Sequence, residues 1–147
     1  MTTNVVAYYG ETPLKSGTLL APADWSGLDT SDGFSYQFRG VTLSTSVQNT
    51  AALVSSSVSG PGLAGVGILT NAPKSGEACQ LVVIGETKCL AGAAIANIGT
   101  ILMFDTSGRV IAATSGKVGI GFNMMPANAA GDIITCFVCL LNFAAGK

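Results

Sequence analysis

Apolar residues occur in short runs that turn-forming residues interrupt, which is typical of strands rather than helices. From Phe34 to Leu43 apolar and polar residues alternate, which would place Phe34, Tyr36 and Phe38 on one face of a strand. A second strand is predicted over 52–58, within a serine- and threonine-rich stretch. No segment shows the apolar spacing of an amphipathic helix.

One phrase occurs twice in the chain. Residues 65–84 read GVGILTNAPKSGEACQLVVI, and residues 119–138 read GIGFNMMPANAAGDIITCFV. Each copy predicts a strand, a turn in which glycine supplies an unusual backbone conformation, and a second strand. Two copies are too few for a solenoid, so we expect two hairpins of one barrel or sandwich.

A further hairpin is predicted between the two copies. Apolar segments at 101–104 and 109–113 flank Asp105-Thr106-Ser107-Gly108, which is a tight-turn sequence. The preceding stretch, 90–100, is rich in alanine, but two glycines weaken a helix there, and we expect a loop or a single turn. The pattern as a whole predicts one all-β domain.

The first 33 residues differ from the rest of the chain. They contain two prolines, four glycines and four acids and show no periodicity. Several apolar residues, among them Tyr8, Tyr9 and Trp25, argue against a solvated tail, although a partly disordered terminus is the alternative. We predict an N-terminal arm and loop over 1–33, ordered by packing on its own domain or on a neighbour, and a single β domain over 34–147.

Composition narrows the functional classes. Of the 147 residues, 48% are hydrophobic and only 10% are charged, against about 25% charged in typical soluble domains. The net charge is −1 and the basic residues are scattered singly, which argues against a nucleic-acid partner. No apolar run is long enough for a spanning helix, so we expect no membrane partner. The surplus apolar surface is expected in a core or in contacts between subunits.

The residues that usually carry catalysis or bind metals are sparse. The chain has no histidine, which removes the usual general base and a common metal ligand. The acids Asp24, Asp29 and Asp32 form a cluster without the spacing of a calcium loop, and a solvated loop is expected there. We therefore predict no catalytic, cofactor or metal site.

Four cysteines are present, and two of them form a C-x-x-C motif. Cys136 and Cys139 lie on a predicted strand, where positions three apart face opposite sides, so they would not share a metal. The chain opens without the basic and apolar order of a signal peptide. We expect buried, reduced cysteines and synthesis in a reducing cytoplasm.

Several of these motifs together are familiar. The two Gly-apolar-Gly strands, the SGE and AGD turns, the KCLAGAAI segment, the DTSGR hairpin and the GKVGIG return all lie within residues 63–141. In these motifs the chain resembles the small capsid decoration, or cement, proteins of tailed bacteriophages. The resemblance implies a small β-barrel or β-tulip-like domain without catalysis or a cofactor.

The resemblance also implies partners and a location. Proteins of this kind are often homotrimers that bind the major capsid protein on the outer capsid surface of the virion. The apolar arm and the turn of the second copy supply the candidate interface residues, although the two methionines are equally explained as a cap on the core. The candidates are Val5, Val6, Tyr8, Tyr9, Leu14, Trp25, Phe122, Met124 and Met125.

Two other classes of function remain open. One is a different virion module, such as a head fibre base or a tail-associated domain that binds a receptor or glycan. The other is a carbohydrate-binding β domain with an aromatic platform. That platform would consist of Tyr8, Tyr9, Trp25, Phe34 and Tyr36.

Overall fold

A computed structural model describes residues 19–54, 65–115, 117 and 119–140. These residues form nine β-strands and no helix, which confirms the prediction of an all-β fold. The strands are β1 (Gly40–Leu43), β2 (Ala51–Leu53), β3 (Gly67–Leu69), β4 (Leu81–Val82), β5 (Ile84–Leu90), β6 (Ile101–Phe104), β7 (Val110–Ala112), β8 (Gly121–Asn123) and β9 (Ile133–Cys139).

The strands form two antiparallel sheets, with the orders β2-β1-β3-β4 and β5-β9-β8-β6-β7. The three predicted hairpins are present as β3–β4, β6–β7 and β8–β9. The stretch 90–100 contains no regular strand beyond Leu90, as expected. Of the strand predicted over 52–58, residues 52 and 53 lie in β2, and its part beyond 54 lies outside the described residues.

The strand predicted over 34–43 is wrong in its first half, because β1 begins only at Gly40. Phe38 has a φ of 69°, a left-handed conformation that interrupts an extended strand. The backbone N–H of Gln37 donates to Ser35 Oγ, which closes a local turn. The alternation of aromatic and polar residues here belongs to a folded loop.

The two sheets are built on one plan. In β1–β4 and again in β6–β9, a hairpin is followed by a third strand that pairs with the hairpin's first strand, and then by a fourth. The paired residues also share one register. The pair Gly40–Ile68 corresponds to Ile101–Phe122, the pair Val41–Leu53 to Leu102–Ala112, and the pair Ile68–Val82 to Phe122–Phe137.

The segments that precede these strands correspond as well. The N–H of Ala21 donates to the carbonyl of Glu77, and the N–H of Ala91 donates in the same way to that of Asp132. Both alanine carbonyls accept from the glycine before that acid. The fold is therefore a duplication that extends well beyond the repeated phrase. We call residues 19–54 and 65–82 the first unit, and residues 89–115, 117 and 119–139 the second unit.

The glycine and acid of each repeated phrase perform the same task in both units. Gly76 has a φ of 79° and Gly131 a φ of 94°, conformations that other residues rarely adopt. The carboxylate that follows each glycine accepts a hydrogen bond from a backbone N–H three residues earlier, at Lys74 and at Ala129. The repeated glycine and acid thus form the same turn in both units.

Each unit has its own core. The first is formed by Leu19, Ala21, Trp25, Val41, Ala51, Leu69 and Cys79. The second contains the equivalents of these residues except that of Leu69, which is Asn123, and it also contains Val54 and Ile68 from the first unit. These two residues show that one face of the first unit is covered by the second unit.

Three of the four cysteines are buried, as predicted. Cys79, Cys89 and Cys136 are buried, Cys139 is half-buried, and all four are free thiols. Burial raises the pKa of Cys79 to about 11. On β9 the side chains of Cys136 and Cys139 point to opposite faces, as the spacing of the motif predicted.

Two of the three clustered acids bind a buried arginine, so the expectation of a solvated loop is wrong for them. Arg39 is fully buried and forms ion pairs with Asp32 at 2.8 Å and Asp29 at 3.2 Å. Its guanidinium also donates to the carbonyl of Ser35 at 2.7 Å and, from the second unit, that of Ser107 at 3.3 Å. We call Asp29, Asp32, Arg39 and Ser107 the Arg39 cluster.

The fold also joins the Arg39 cluster to the β6–β7 turn. Arg109 lies 3.6 Å from the second oxygen of Asp32 and 2.8 Å from Asp105. The N–H of Gly40 donates to the carbonyl of Gly108 at 2.6 Å. Charge and backbone bonds thus tie the loop of the first unit to the hairpin of the second.

We expect the protein to lose stability as the pH falls below about 4. Burial alone would raise the pKa of Asp32, but hydrogen bonds from Arg39 and from the N–H of Phe34, with the charges of Arg39 and Arg109, hold its pKa below the ordinary value. A carboxyl whose pKa is lower in the folded state contributes stability above its unfolded pKa, and that contribution is lost as the pH falls through the folded pKa.

Urea unfolding of the wild-type protein and of Asp32→Asn, measured from pH 7 to pH 2, tests this expectation. The variant should be less stable at pH 7 and should show a weaker acid dependence. Asp24→Asn is a control for the loss of an exposed carboxylate, which among the described residues accepts hydrogen bonds from Ser26. Parallel pH curves for the wild-type protein and Asp32→Asn would contradict the assignment.

Candidate interaction surface

The described residues offer an apolar surface rather than a reactive site. No three acidic, cysteine or histidine side chains among them are placed to hold a metal ion. The part of the chain that the structure describes also contains no helix that would span a membrane. Within these residues, eight of the twelve exposed large hydrophobic side chains lie on or beside the second sheet.

The centre of this surface is a row across three neighbouring strands. Phe122 on β8 stacks on Phe137 of β9, with ring centroids 5.6 Å apart and planes inclined by 15°. On its other side Phe122 is paired with Ile101 of β6. The exposed fractions of the side chains are 40% for Phe122, 38% for Phe137 and 55% for Ile101. We call Ile101, Phe122, Met124, Met125, Ile133 and Phe137 the apolar face.

Strand alternation explains how the apolar face forms. On β9, Ile133 and Phe137 point outward, whereas the residues between them at 134 and 136 enter the core. On β8, Phe122 points outward and Asn123 inward. The outer side of an antiparallel sheet that faces water is normally polar, so an apolar one indicates a contact surface.

A buried asparagine positions the methionines. Asn123 is fully buried, and its side-chain amide donates to the carbonyls of Asn97 at 2.9 Å and Met125 at 3.0 Å. Its Oδ1 accepts from the N–H of Thr100 at 2.8 Å. The equivalent residue in the first unit is Leu69, so this polar anchor is specific to the unit that carries the apolar face.

A charged strand borders the apolar face. The side chains of Glu86 and Lys88 on β5 are exposed, and these residues pair with Phe137 and Thr135 of β9. The two charges have opposite sign. The border therefore favours solubility without giving the face a net charge of its own.

The structure brings together three of the predicted interface residues. Phe122, Met124 and Met125 are each about 40% exposed at one end of the second sheet, which favours the contact interpretation of the methionines over a cap on the core. Sequence reasoning missed Ile101, Ile133 and Phe137, the remaining members of the apolar face. The signal for them lies in the register of β6, β8 and β9 rather than in any local motif.

Of the other predicted interface residues, the structure describes Trp25 alone. Trp25 is only 5% exposed and stacks on Tyr36 at 5.8 Å within the first core, so we do not include it in the apolar face. Trp25, one of the five aromatic residues considered for a carbohydrate-binding platform, is therefore not a surface ring. The remaining candidates lie in the arm, outside the described residues. They are Val5, Val6, Tyr8, Tyr9 and Leu14.

Comparisons with known proteins add a family and a fold. A family model described as phage cement protein matches residues 37–140. Among solved structures, the chain is similar to the N base of the head fibre gp8.5 of bacteriophage phi29, with 13% identity and a TM-score of 0.57. That match covers 84% of this chain and 92% of the other, and at this identity it shows the fold alone. No curated protein matches the chain.

Proposed function

Because this chain belongs to the phage cement protein family and is a structural protein of the phage head, we propose that it binds the outer surface of the head as a trimer and stabilises the contacts between capsomers. The proposed partners are the major capsid protein and further copies of the chain. The role is mechanical and needs no catalysis, cofactor or nucleic acid.

The apolar face is the observation that supports this proposal most directly. Its members are exposed in the isolated chain, and burying one large apolar side chain contributes about 1.5–3 kcal/mol. A trimer would hold three capsid contacts at once, so weak single contacts would combine into firm attachment. A trimer that bridges neighbouring capsomers raises the free energy needed to separate them under the pressure of packaged DNA.

The arm is proposed as part of the capsid contact. Its apolar residues, including Val5, Val6 and Tyr8, suit either an added strand or an extended segment along an edge of the capsid protein. The sequence alone supports this part of the proposal.

We expect phage heads stripped of this protein to release DNA at a lower temperature than decorated heads do. When the salt concentration is lowered, the stripped heads should also release DNA first, at a salt concentration that decorated heads still withstand. Adding back the wild-type protein should restore resistance, as measured by dye access to the DNA. Phe122→Asp should restore it at least ten-fold less efficiently per mole, because the variant loses the combined attachment of the trimer. Leu28→Asp is the control, since Leu28 is 65% exposed but lies in the loop before β1.

Stripped heads that withstand heating and low salt as well as decorated heads do would contradict the cement role. A second candidate function is then favoured by the fold, which is similar to the N base of a head fibre. Such a base would bind heads and carry a fibre without changing their stability. Electron microscopy of heads with and without the protein separates these outcomes.

A further inference from the structure

The contact between the two units uses a different surface of each. The ring of Phe104 lies over Gly40 and Gly65, and a Cβ at either glycine would collide with it. Ile68 and Val54 of the first unit pack into the same core as Phe104 and Val138 of the second. We call Gly40, Val54, Gly65, Ile68 and Val82 the receiving face of the first unit. We call Phe104 and the turn 105–108 the inserting end of the second unit.

Because the two units share one register, the second unit has an equivalent of the receiving face and the first unit has an equivalent of the inserting end. The receiving face of the second unit contains Ile101, Phe122 and Phe137, which is the central row of the apolar face. The inserting end of the first unit contains Leu43, which pairs with Ala51 as Phe104 pairs with Val110. It continues into the turn 44–49, where the N–H of Ser44 donates to Thr50 as that of Asp105 donates to Arg109.

Among the described residues this contact is buried, whereas the two equivalent surfaces on the opposite units are exposed. Ile68 and Phe104 are 0% and 1% exposed. On the unused surfaces, Leu43 is 53% exposed and Phe122 is 40% exposed. Val47, in the turn next to Leu43, is 56% exposed. The part of the chain that the structure describes therefore presents one exposed receiving face and one exposed inserting end.

We propose that copies of this chain associate head to tail, with the apolar face of one copy receiving the Leu43 end of the next. The contact between chains would repeat the contact that joins the two units within each chain. This inference rests on the proposed trimer and names its interface. A head-to-tail contact closes into a ring when its rotation fits a full turn, and three copies would then place six related units around one axis.

The residue exchanges at the open surfaces suit such a contact. Where the first unit has Gly40 and receives a phenylalanine, the second unit has Ile101 and would receive the smaller Leu43. The charges around the internal contact are replaced by neutral residues. Asp105 corresponds to Ser44, Arg109 to Thr50, and Arg39 to Thr100. The contact between chains would be apolar and therefore nearly insensitive to salt.

Two variants that each block one surface test the direction of the contact. Phe122→Asp removes the receiving face and keeps the inserting end, whereas Leu43→Asp does the reverse. Each variant alone should be a monomer in analytical ultracentrifugation. An equimolar mixture should form a one-to-one complex, because one intact contact remains between the two variants. Leu28→Asp, on neither surface, should assemble like the wild-type protein.

The result that overturns the inference is equally specific. A symmetric contact between two apolar faces would leave Leu43→Asp assembled on its own and the mixture without a one-to-one complex. Phe137→Ser serves as a second face variant, and circular dichroism of every variant checks that it is folded. A monomeric wild-type protein that still protects heads would overturn this contact and leave the cement role standing. Head-to-tail assembly without protection of heads would overturn the cement role and leave this contact standing.

Discussion

Replacing Arg39 by methionine is expected to lower the free energy of unfolding by about 3–5 kcal/mol. The side chain is fully buried, and its loss leaves the carboxylates of Asp29 and Asp32 in a poorly solvated site without their main counter-ion. Removing one member of a buried ion pair costs more than the pair contributes, because the remaining charge stays desolvated. Arg39 also bonds to carbonyls of both units, so the variant weakens their junction.

Chemical denaturation of Arg39→Met and Arg109→Met at pH 7 measures this effect. Arg109 is 19% exposed, and its variant should lose about 1 kcal/mol. A triple variant that combines Arg39→Met with Asp29→Asn and Asp32→Asn should recover part of the loss, because it leaves no unpaired buried charge. Equal losses for Arg39→Met and Arg109→Met would show that the Arg39 cluster does not carry the stability assigned to it.

Replacing Gly121 by alanine is expected to cost roughly 3 kcal/mol. Gly121 has a φ of 150°, and a Cβ there would overlap the carbonyl oxygen of Phe137 and approach the Cα of Val138 to 2.8 Å. These atoms are main chain of β9, so no side-chain movement relieves the overlap. The β8–β9 pairing beneath the apolar face would have to open.

Gly27→Ala is the matched control for this prediction. A Cβ at Gly27 meets nothing within 4 Å, so the change should alter stability by less than about 0.5 kcal/mol. Thermal and urea unfolding of both variants provide the comparison. If Gly121→Ala unfolds at the same urea concentration as Gly27→Ala, the close approach of β8 to β9 is not required.

Features encoded by neighbouring residues were predictable from the sequence. The turns at Gly76 and Gly131 were recognised because glycine followed by an acid has a local conformational meaning. The duplication was only partly visible, since its most consequential equivalent positions hold different residue types. Arg39 corresponds to Thr100, and Leu69 to Asn123. Strand register, and not similarity of residues, reveals that these positions are related.

Features that depend on distant contacts were missed for physical reasons. The carboxylates of Asp29 and Asp32 stand in a polar loop, and nothing local indicates that a guanidinium enters it. The aromatic alternation before Gly40 predicted a strand, but the backbone at Phe38 turns into the left-handed region. On β9 both faces are apolar, so the sequence alone does not separate the core residue Val138 from the exposed Phe137.

The Arg39 cluster also has a consequence for how the chain matures during synthesis. Ser107, whose carbonyl completes the shell around the guanidinium, follows Arg39 by 68 residues. In a nascent chain that has emerged only as far as β5, the Arg39 guanidinium therefore lacks one of its hydrogen-bond acceptors. The first unit gains its full stability only when the β6–β7 hairpin has been synthesised. The two units should consequently unfold in one cooperative step on heating.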